Sequence, residues 1–211
     1  MSEILAYAKW TSNADLIADV ARLGYLRQQS AILDPTYGYG TWWKNWQPDV
    51  LRRHDLDPAK APDGAMDFTD LLYADGHFEA VAFDPPYKMN GTSSAPDERY
   101  GVHEASTWQD RIDLILRGMY ECARVVRPGG TLLVKCQAQV VSGRVRWQDI
   151  IFATHGEAEC GLVLEDRFNM LGHRAQPTHN PDGTPRRQVH ARQNASQLLV
   201  FTKPRPRKVL A

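Results

Sequence analysis

The tetrapeptide Asp84-Pro85-Pro86-Tyr87 combines groups that could orient an amine for reaction. It directly follows an apolar run, Phe78 to Phe83, which predicts a buried strand. Proline carries no N–H, so the carbonyl groups beside the two prolines have no local donor. Asp84 and the Pro85 carbonyl could accept the two hydrogens of an exocyclic amine while Tyr87 stacks on the attached ring. A rigid end to the strand with an ordinary solvated carboxylate is the alternative.

A second motif, Asp34-Pro35-Thr36-Tyr37-Gly38-Tyr39-Gly40, also follows a short apolar run. In an open α/β sheet, ligands bind beyond the carboxyl ends of the strands, where glycines let the backbone approach a cofactor closely. The motif has no Gly-Lys-Ser/Thr and so is not a phosphate loop, and it is not the full dinucleotide fingerprint. A tight structural turn is the alternative interpretation.

The elements that must position these motifs alternate between strand and helix. This alternation favours an α/β fold with a mostly parallel sheet. Pro128-Gly129-Gly130 is expected to break the chain before a strand. The predicted strands are 31–33, 78–83, 131–136, 162–168 and 197–202, and the predicted helices are 13–23, 108–126 and 146–159.

Taken together, the two motifs resemble those of the class I S-adenosylmethionine-dependent methyltransferases. The resemblance is to the amino-methyltransferases with a D/N/S-P-P-Y/F/W tetrapeptide, which comprise adenine-N6 and cytosine-N4 DNA methyltransferases and RNA-acting relatives. It extends over most of the chain and implies one methyltransferase domain over residues 1–211. The implied fold is Rossmann-like, with a seven-stranded, mostly parallel sheet whose last strand is antiparallel.

The resemblance also implies the cofactor, S-adenosylmethionine, and methyl transfer to the exocyclic amine of a DNA base. Adenine N6 is favoured because the tetrapeptide begins with Asp, whereas Ser would favour cytosine. Three alternatives stay open. They are an RNA methyltransferase acting on adenine or guanine N2, a catalytically silent nucleic-acid-binding partner subunit, and a small-molecule or protein-glutamine methyltransferase.

The resemblance assigns a role to each matching position. The tetrapeptide Asp84 to Tyr87 would be catalytic. Residues 8–13 would help to close the methionine end of the cofactor, Asp55 would bond the ribose hydroxyls, and Asp67 with Phe68 would flank the adenine. The implied cofactor-binding residues are Lys9, Trp10, Thr11, Asp34, Pro35, Thr36, Gly38, Gly40, Asp55, Asp67, Phe68 and Asp84.

Each assignment has a plainer rival. Asp55 and Asp57 could be turn acids around Pro58, and Asp67 could cap a helix that begins at Thr69-Asp70. Tryptophans at such positions are more often core residues than base-stacking residues, which applies to Trp42, Trp43 and Trp46.

Charge is distributed unevenly along a chain whose formal net charge is zero. From Arg167 to Ala211 there are nine Lys or Arg and one acid, Asp182, so the rest of the chain is acidic. A basic end favours a polyanionic partner, with DNA preferred over RNA, although a solvated end without a partner is the alternative. Two long irregular segments, 88–107 and 171–194, are candidate substrate loops. The predicted nucleic-acid-binding residues are Arg174, Arg186, Arg187 and Arg192.

Composition limits the remaining possibilities. No stretch is apolar enough to span a membrane, and the first ten residues do not read as a secretory signal. Three widely spaced cysteines and histidines without accompanying acids predict no disulfide framework and no metal site. We therefore expect a cytoplasmic protein, monomeric or homodimeric. Room for a large target-recognition domain is lacking, so a partner that supplies sequence specificity is an open alternative.

Overall fold

The structure is a computed structural model that describes most of the chain. The described residues are 5, 9–86, 88–89, 107–172, 179, 182–185, 187, 189–191 and 193–206. Tyr87, Arg174, Arg186 and Arg192 lie outside them, as do residues 90–106 and much of 171–194.

A six-stranded sheet forms the centre of the molecule. Its strands are β1 (Ala31–Asp34), β2 (Val50–Arg53), β3 (Phe78–Phe83), β4 (Val126–Cys136), β7 (Val163–Leu171) and β8 (Ala195–Thr202). They lie in the order β2-β1-β3-β4-β8-β7, and the short strands β5 (Gln139–Val141) and β6 (Arg144–Arg146) form a separate hairpin. The strands β2, β1, β3 and β4 pair in parallel. The last strand, β8, is antiparallel to both β4 and β7, as the resemblance implies.

The resemblance implies a seventh strand in the main sheet, and the described residues contain no such strand. The chain that follows β2 pairs with the end of that strand's segment through an isolated bridge between Asp55 and Ala65, and it forms no strand of the sheet there. Pro58 begins a 3-10 helix, Pro58–Lys60, and Pro62 and Gly64 follow it closely. Because proline cannot donate to a ladder and glycine has no side chain to pack, this stretch cannot extend the pairing.

Three α-helices of the described residues flank the sheet: α1 (Asn13–Arg22), α2 (Trp108–Val125) and α3 (Gln148–Ala158). The Ser12 side chain caps α1 by accepting from the Asp15 N–H, and Thr107 with Asp110 forms a capping box on α2. After β1 the chain makes only a short 3-10 helix, Thr41–Trp43. None of the described helices is long and apolar enough to cross a bilayer.

The turn at Pro128-Gly129-Gly130 lies inside β4, not before it as the sequence predicts. The strand begins at Val126, directly after α2. Phe78 pairs with Val126, but Ala80 pairs with Thr131, so β4 carries the extra residues as an irregularity in the ladder. Gly129 has a φ of 79°, which permits the local bend without a strained side chain.

The sheet separates two apolar clusters. The larger one packs α2 against one face, and the other packs α1, Leu5 and Trp10 against the opposite face. Along β3, Val81 and Phe83 belong to the larger cluster, whereas Ala80 and Ala82 belong to the α1 cluster. This alternation fixes which side chains at the strand ends point to which face.

Candidate functional site

Three acidic residues lie at the carboxyl ends of neighbouring parallel strands. Asp34 is the last residue of β1, Asp84 follows β3 directly, and Asp55 comes two residues after β2. Since β2, β1 and β3 pair in parallel, these carboxyl ends meet at one edge of the sheet. The two sequence motifs are therefore brought to the same edge.

Asp84 is fixed at this edge by two hydrogen bonds. Its backbone N–H donates to Thr36 Oγ1 at 2.8 Å, and its Oδ2 accepts from Trp42 Nε1 at 2.9 Å. Oδ1 is buried, and no described residue donates a hydrogen bond to it. Burial raises the pKa of Asp84, while the charge of Lys135 and the Trp42 hydrogen bond oppose that rise. The carboxyl group thus presents an acceptor atom in need of a donor.

Asp34 is a second buried carboxyl group beside it. Oδ1 accepts from the Thr36 N–H at 3.0 Å and from its hydroxyl at 3.3 Å, and Oδ2 accepts from Trp43 Nε1 at 2.7 Å. Burial raises the pKa of Asp34 to about 7, and the charge of Asp84 adds to the rise. Thr36 joins the two acids, because its hydroxyl contacts Asp34 and accepts from the Asp84 N–H.

Trp42 and Trp43 are core residues, as the sequence predicts, with exposures of 4% and 5%. Their indole N–H groups have a role that the sequence analysis missed, because one bonds Asp84 and the other bonds Asp34. Buried indole groups need a hydrogen-bond partner. A pair of adjacent tryptophans shortly after the glycine motif was the signal that could have suggested two such partners.

The glycine motif makes a tight loop over the end of β1. Gly38 and Gly40 have φ values of 56° and 64°, in the left-handed region that favours glycine. A Cβ at Gly40 would lie 2.5 Å from the Tyr37 hydroxyl oxygen, so another residue there would displace the Tyr37 ring and strain the left-handed backbone. At Gly38 the nearest atom to such a Cβ is 3.8 Å away, so space is open beside this backbone. Pro35 is buried at the start of the loop.

Asp55 lies against this loop, with both of its oxygens engaged. Oδ2 accepts from the Gly38 N–H at 3.0 Å, and Oδ1 accepts from the Asp57 N–H at 2.9 Å. The residue is 2% exposed. It therefore supports the glycine loop and also makes the turn that leads into Pro58.

Asp67 and Phe68 are placed differently from each other. Asp67 is exposed, and its Oδ1 accepts from the Thr69 N–H and hydroxyl, each at 2.8 Å. This is the local turn-capping role that rivals the adenine role. Phe68 is 1% exposed and packs edge-on against Phe83, with ring centroids 5.2 Å apart.

Residues 9–11 lie against α1 and β7. Trp10 is buried, donates from Nε1 to Asp19 at 2.8 Å, and packs on Phe168. Lys9 forms an ion pair with Asp19 at 3.7 Å, and Thr11 is exposed. The structure connects this part of the chain to the site through Asn13, whose Oδ1 accepts from Lys135 Nζ at 2.7 Å.

Lys135 is a residue that sequence reasoning missed. It is 1% exposed, near the end of β4. Burial lowers its pKa to about 8, against the opposing effect of the Asp84 charge. A lone lysine closing the apolar run Leu132-Leu133-Val134 was the available signal, because unpaired buried lysines are rare.

The predicted basic loop is described only in part. Arg187 is exposed. Near it, His190 Nε2 lies 2.7 Å from the Gly143 carbonyl oxygen, and Gln137 Nε2 donates to the Gln193 carbonyl at 2.8 Å. These contacts place the described end of the loop against the β5–β6 hairpin, which follows β4 at the same edge as Asp84.

Comparison with known proteins identifies the fold. No protein-family model and no curated protein matches the sequence. A solved structure from Bacillus halodurans, described as a methyltransferase, matches with a TM-score of 0.59 at 14% identity, over 90% of this chain and 99% of its own. The chain has a methyltransferase fold.

Two other structures with the methyltransferase fold extend this comparison. The N-methyltransferase NodS from Bradyrhizobium japonicum matches with a TM-score of 0.52 at 13% identity, over 90% of this chain and 96% of its own. A Haloferax volcanii protein, described as a methyltransferase in complex with its Trm112 activator, matches with a TM-score of 0.51 at 14% identity, over 90% and 92%. At these identities the likeness concerns the fold alone.

Proposed function

We propose that this protein transfers a methyl group from S-adenosylmethionine to the exocyclic amine of a DNA base, with adenine N6 as the favoured target. The observation that carries the proposal is the Asp84 carboxyl group. One of its oxygens is buried without a donor among the described residues, at the edge where the glycine motif also lies. An exocyclic amine would supply the missing donor.

The residues at this edge suit S-adenosylmethionine. Gly38 leaves space beside its backbone, and Asp55, which holds that backbone, is the acid that the resemblance implies for the ribose hydroxyls. Asp84, in its ionised form, places a negative charge where a cofactor that carries a positive charge would be favoured. When bound, the cofactor would supply an electrophilic methyl group.

The chain's own contribution is orientation and proton handling. Asp84 in its ionised form would accept one amine hydrogen at Oδ1, since Oδ2 is already bonded to Trp42. The Pro85 carbonyl would accept the other, which directs the nitrogen lone pair at the electrophile. The raised pKa of Asp84 then suits it to take the proton that the methylated amine gives up. None of the cysteines is needed as a nucleophile, and burial raises the pKa of the Cys122 and Cys136 thiols.

The β5–β6 hairpin supports a nucleic-acid substrate. It exposes Arg144 and leads to Trp147, which is 47% exposed, while the Arg146 guanidinium stacks 4.0 Å from the Trp108 ring centroid. Residues 137–147 contain no acid. Basic and aromatic side chains together suit phosphates and unstacked bases, and the target base must leave its stack to reach Asp84.

Methyl transfer from radiolabelled S-adenosylmethionine tests the proposal directly. Duplex DNA, single-stranded DNA and total RNA would each be incubated with the parent protein, and the methylated base would be identified. We expect N6-methyladenine in DNA. D84A should abolish the label, whereas D113A, which removes an exposed acid on α2, should retain it.

The other outcomes are equally informative. Label in RNA alone would identify RNA as the substrate. Detection of N4-methylcytosine would identify cytosine as the target base. If no substrate is labelled although calorimetry detects cofactor binding, a partner protein must supply the substrate. Absence of both label and cofactor binding would refute the proposal.

A further inference from the structure

A buried lysine on the neighbouring strand lies on the same side of the sheet as Asp84, the side that faces α1. Phe83 pairs with Val134 in the parallel ladder, so Asp84 and Lys135 are neighbours one residue further along. Ala82 and Leu133, two residues earlier on each strand, both belong to the α1 cluster. Because side chains alternate along a strand, Asp84 and Lys135 point to that same side.

The hydrogen bonds of both residues agree with this placement. Asp84 accepts from Trp42, a member of the α1 cluster. Lys135 Nζ donates to Asn13 Oδ1 at 2.7 Å and lies 3.5 Å from the Met170 sulfur. Neither partner of the ammonium carries a charge. The ammonium is thus held by neutral groups while its charge acts on the neighbouring strand end.

A buried ammonium is costly and needs a compensating interaction. A methionine would fill a similar volume in this apolar strand without that cost. The compensation here is electrostatic, since the charges of Lys135 and Asp84 each favour the ionised form of the other. Asp34, on the other side of Asp84, is a like-charged group that disfavours ionisation of both acids together. Among the described residues, Lys135 is the cation that acts on Asp84.

We propose that Lys135 is a positioning residue whose charge keeps Asp84 ionised and able to accept hydrogens, and that Asn13 holds the ammonium in place. The role of Lys135 and Asn13 in methyl transfer rests on the proposed function. The electrostatic coupling between Lys135 and Asp84 does not rest on it, so the coupling and the proposed function can fail separately.

The coupling is measured without substrate or cofactor, by following the side-chain carboxyl carbons of ¹³C-labelled protein against pH. Comparison with D84N identifies the Asp84 signal. In K135M the titration midpoint of Asp84 should rise by about 1 pH unit or more, because a buried opposite charge on the neighbouring strand has been removed. K44M, which removes an exposed lysine just after the Thr41–Trp43 helix, should leave that midpoint unchanged.

The reciprocal variant makes the test independent of whether K135M folds. In D84N the midpoint of Lys135, followed at its ε-carbon, should fall below about 8, because the charge that raises its pKa is gone. An unchanged Lys135 midpoint in folded D84N, or an unchanged Asp84 midpoint in folded K135M, would overturn the proposal. If both midpoints move but no substrate is ever methylated, the coupling stands and the proposed function fails.

Discussion

At the scale of single residues, the two acids of the site differ in what surrounds them. Asp34 has three donors and a pKa near 7, whereas Asp84 has a buried oxygen without a described donor. Asp34 is therefore a structural acid that connects the Thr41–Trp43 helix to the glycine loop. Asp84 keeps one acceptor oxygen to which no described residue donates. Two carboxyl groups with such different surroundings can take different roles at one site.

The raised pKa of Asp34 should make the free energy of unfolding depend on pH. Between the usual pKa of 3.8 and about 7, the unfolded chain has released this proton while the folded protein retains it. Stability is therefore lost as pH rises through this range. Relative to D34N, the parent's free energy of unfolding should fall by about 2 kcal/mol from pH 5 to pH 7, measured by urea denaturation. Parallel pH curves for the two proteins would contradict this.

The sequence predicted where in the chain the site residues lie better than it predicted which side chains they contact. Asp34, Asp84 and the two glycines were identified from motifs, because a motif fixes residue type at a strand end. Trp42 and Lys135 were missed because an indole N–H or an ammonium acquires its partner only when distant segments pack together. Lys135 donates a hydrogen bond to Asn13 and acts electrostatically on Asp84, and the three residues belong to separate elements. No local pattern in the sequence carries that information.

At the scale of elements, α2 approaches the sheet closely because one of its core positions is a glycine. A Cβ at Gly118 would lie 2.5 Å from Phe68 Cδ2 and 2.8 Å from Phe83 Cζ. Phe83 immediately precedes Asp84, and its ring packs edge-on with Phe68. The helix thus sets the position of the strand end that carries the candidate catalytic acid.

Replacing Gly118 with alanine should destabilise the protein despite the better helix propensity of alanine. The propensity gain is about 1 kcal/mol, whereas overpacking against two buried rings costs about 1–3 kcal/mol. We expect a net loss of about 1 kcal/mol, measured as a lower urea midpoint with an unchanged slope. R117A, at the exposed neighbouring position, is the control and should change stability by less than about 0.5 kcal/mol. Equal stability of G118A and the parent would mean that the rings move aside without cost.

Strands and helices with strong periodicity were predicted well, and the exceptions have local causes. The apolar runs of β1, β3 and β8 and the amphipathic face of α2 lie where the sequence places them. The seventh strand was implied by the resemblance alone, and the proline-rich stretch after β2 cannot form it. The start of β4 was misplaced because the glycine pair lies inside the strand, at an irregularity in its pairing with β3. Such an irregularity depends on the neighbouring strand, so the local sequence does not reveal it.

At the scale of the whole molecule, exposed basic side chains lie at both edges of the sheet, and those of the β5–β6 hairpin lie at the edge that carries Asp84. The hairpin with Arg144 lies on this edge, and the His190 contact brings the segment that follows Arg187 against it. Arg27, by contrast, precedes β1 and so lies towards the opposite edge. DNA bound at the proposed site would therefore contact the arginines of the hairpin edge and not Arg27.

The positions of these arginines predict how DNA binding should depend on salt. Each phosphate contact contributes about −0.9 to the slope of log K against log salt concentration. The double variant R144A/R187A should therefore show a slope shallower by about 1.8 than that of the parent, measured by fluorescence anisotropy with a duplex oligonucleotide. R27A, also an exposed arginine, should keep the parent slope because its charge lies away from the site. A double variant with the parent slope would place the DNA elsewhere. Loss of slope in R27A alone would mean that the opposite edge contacts the phosphates.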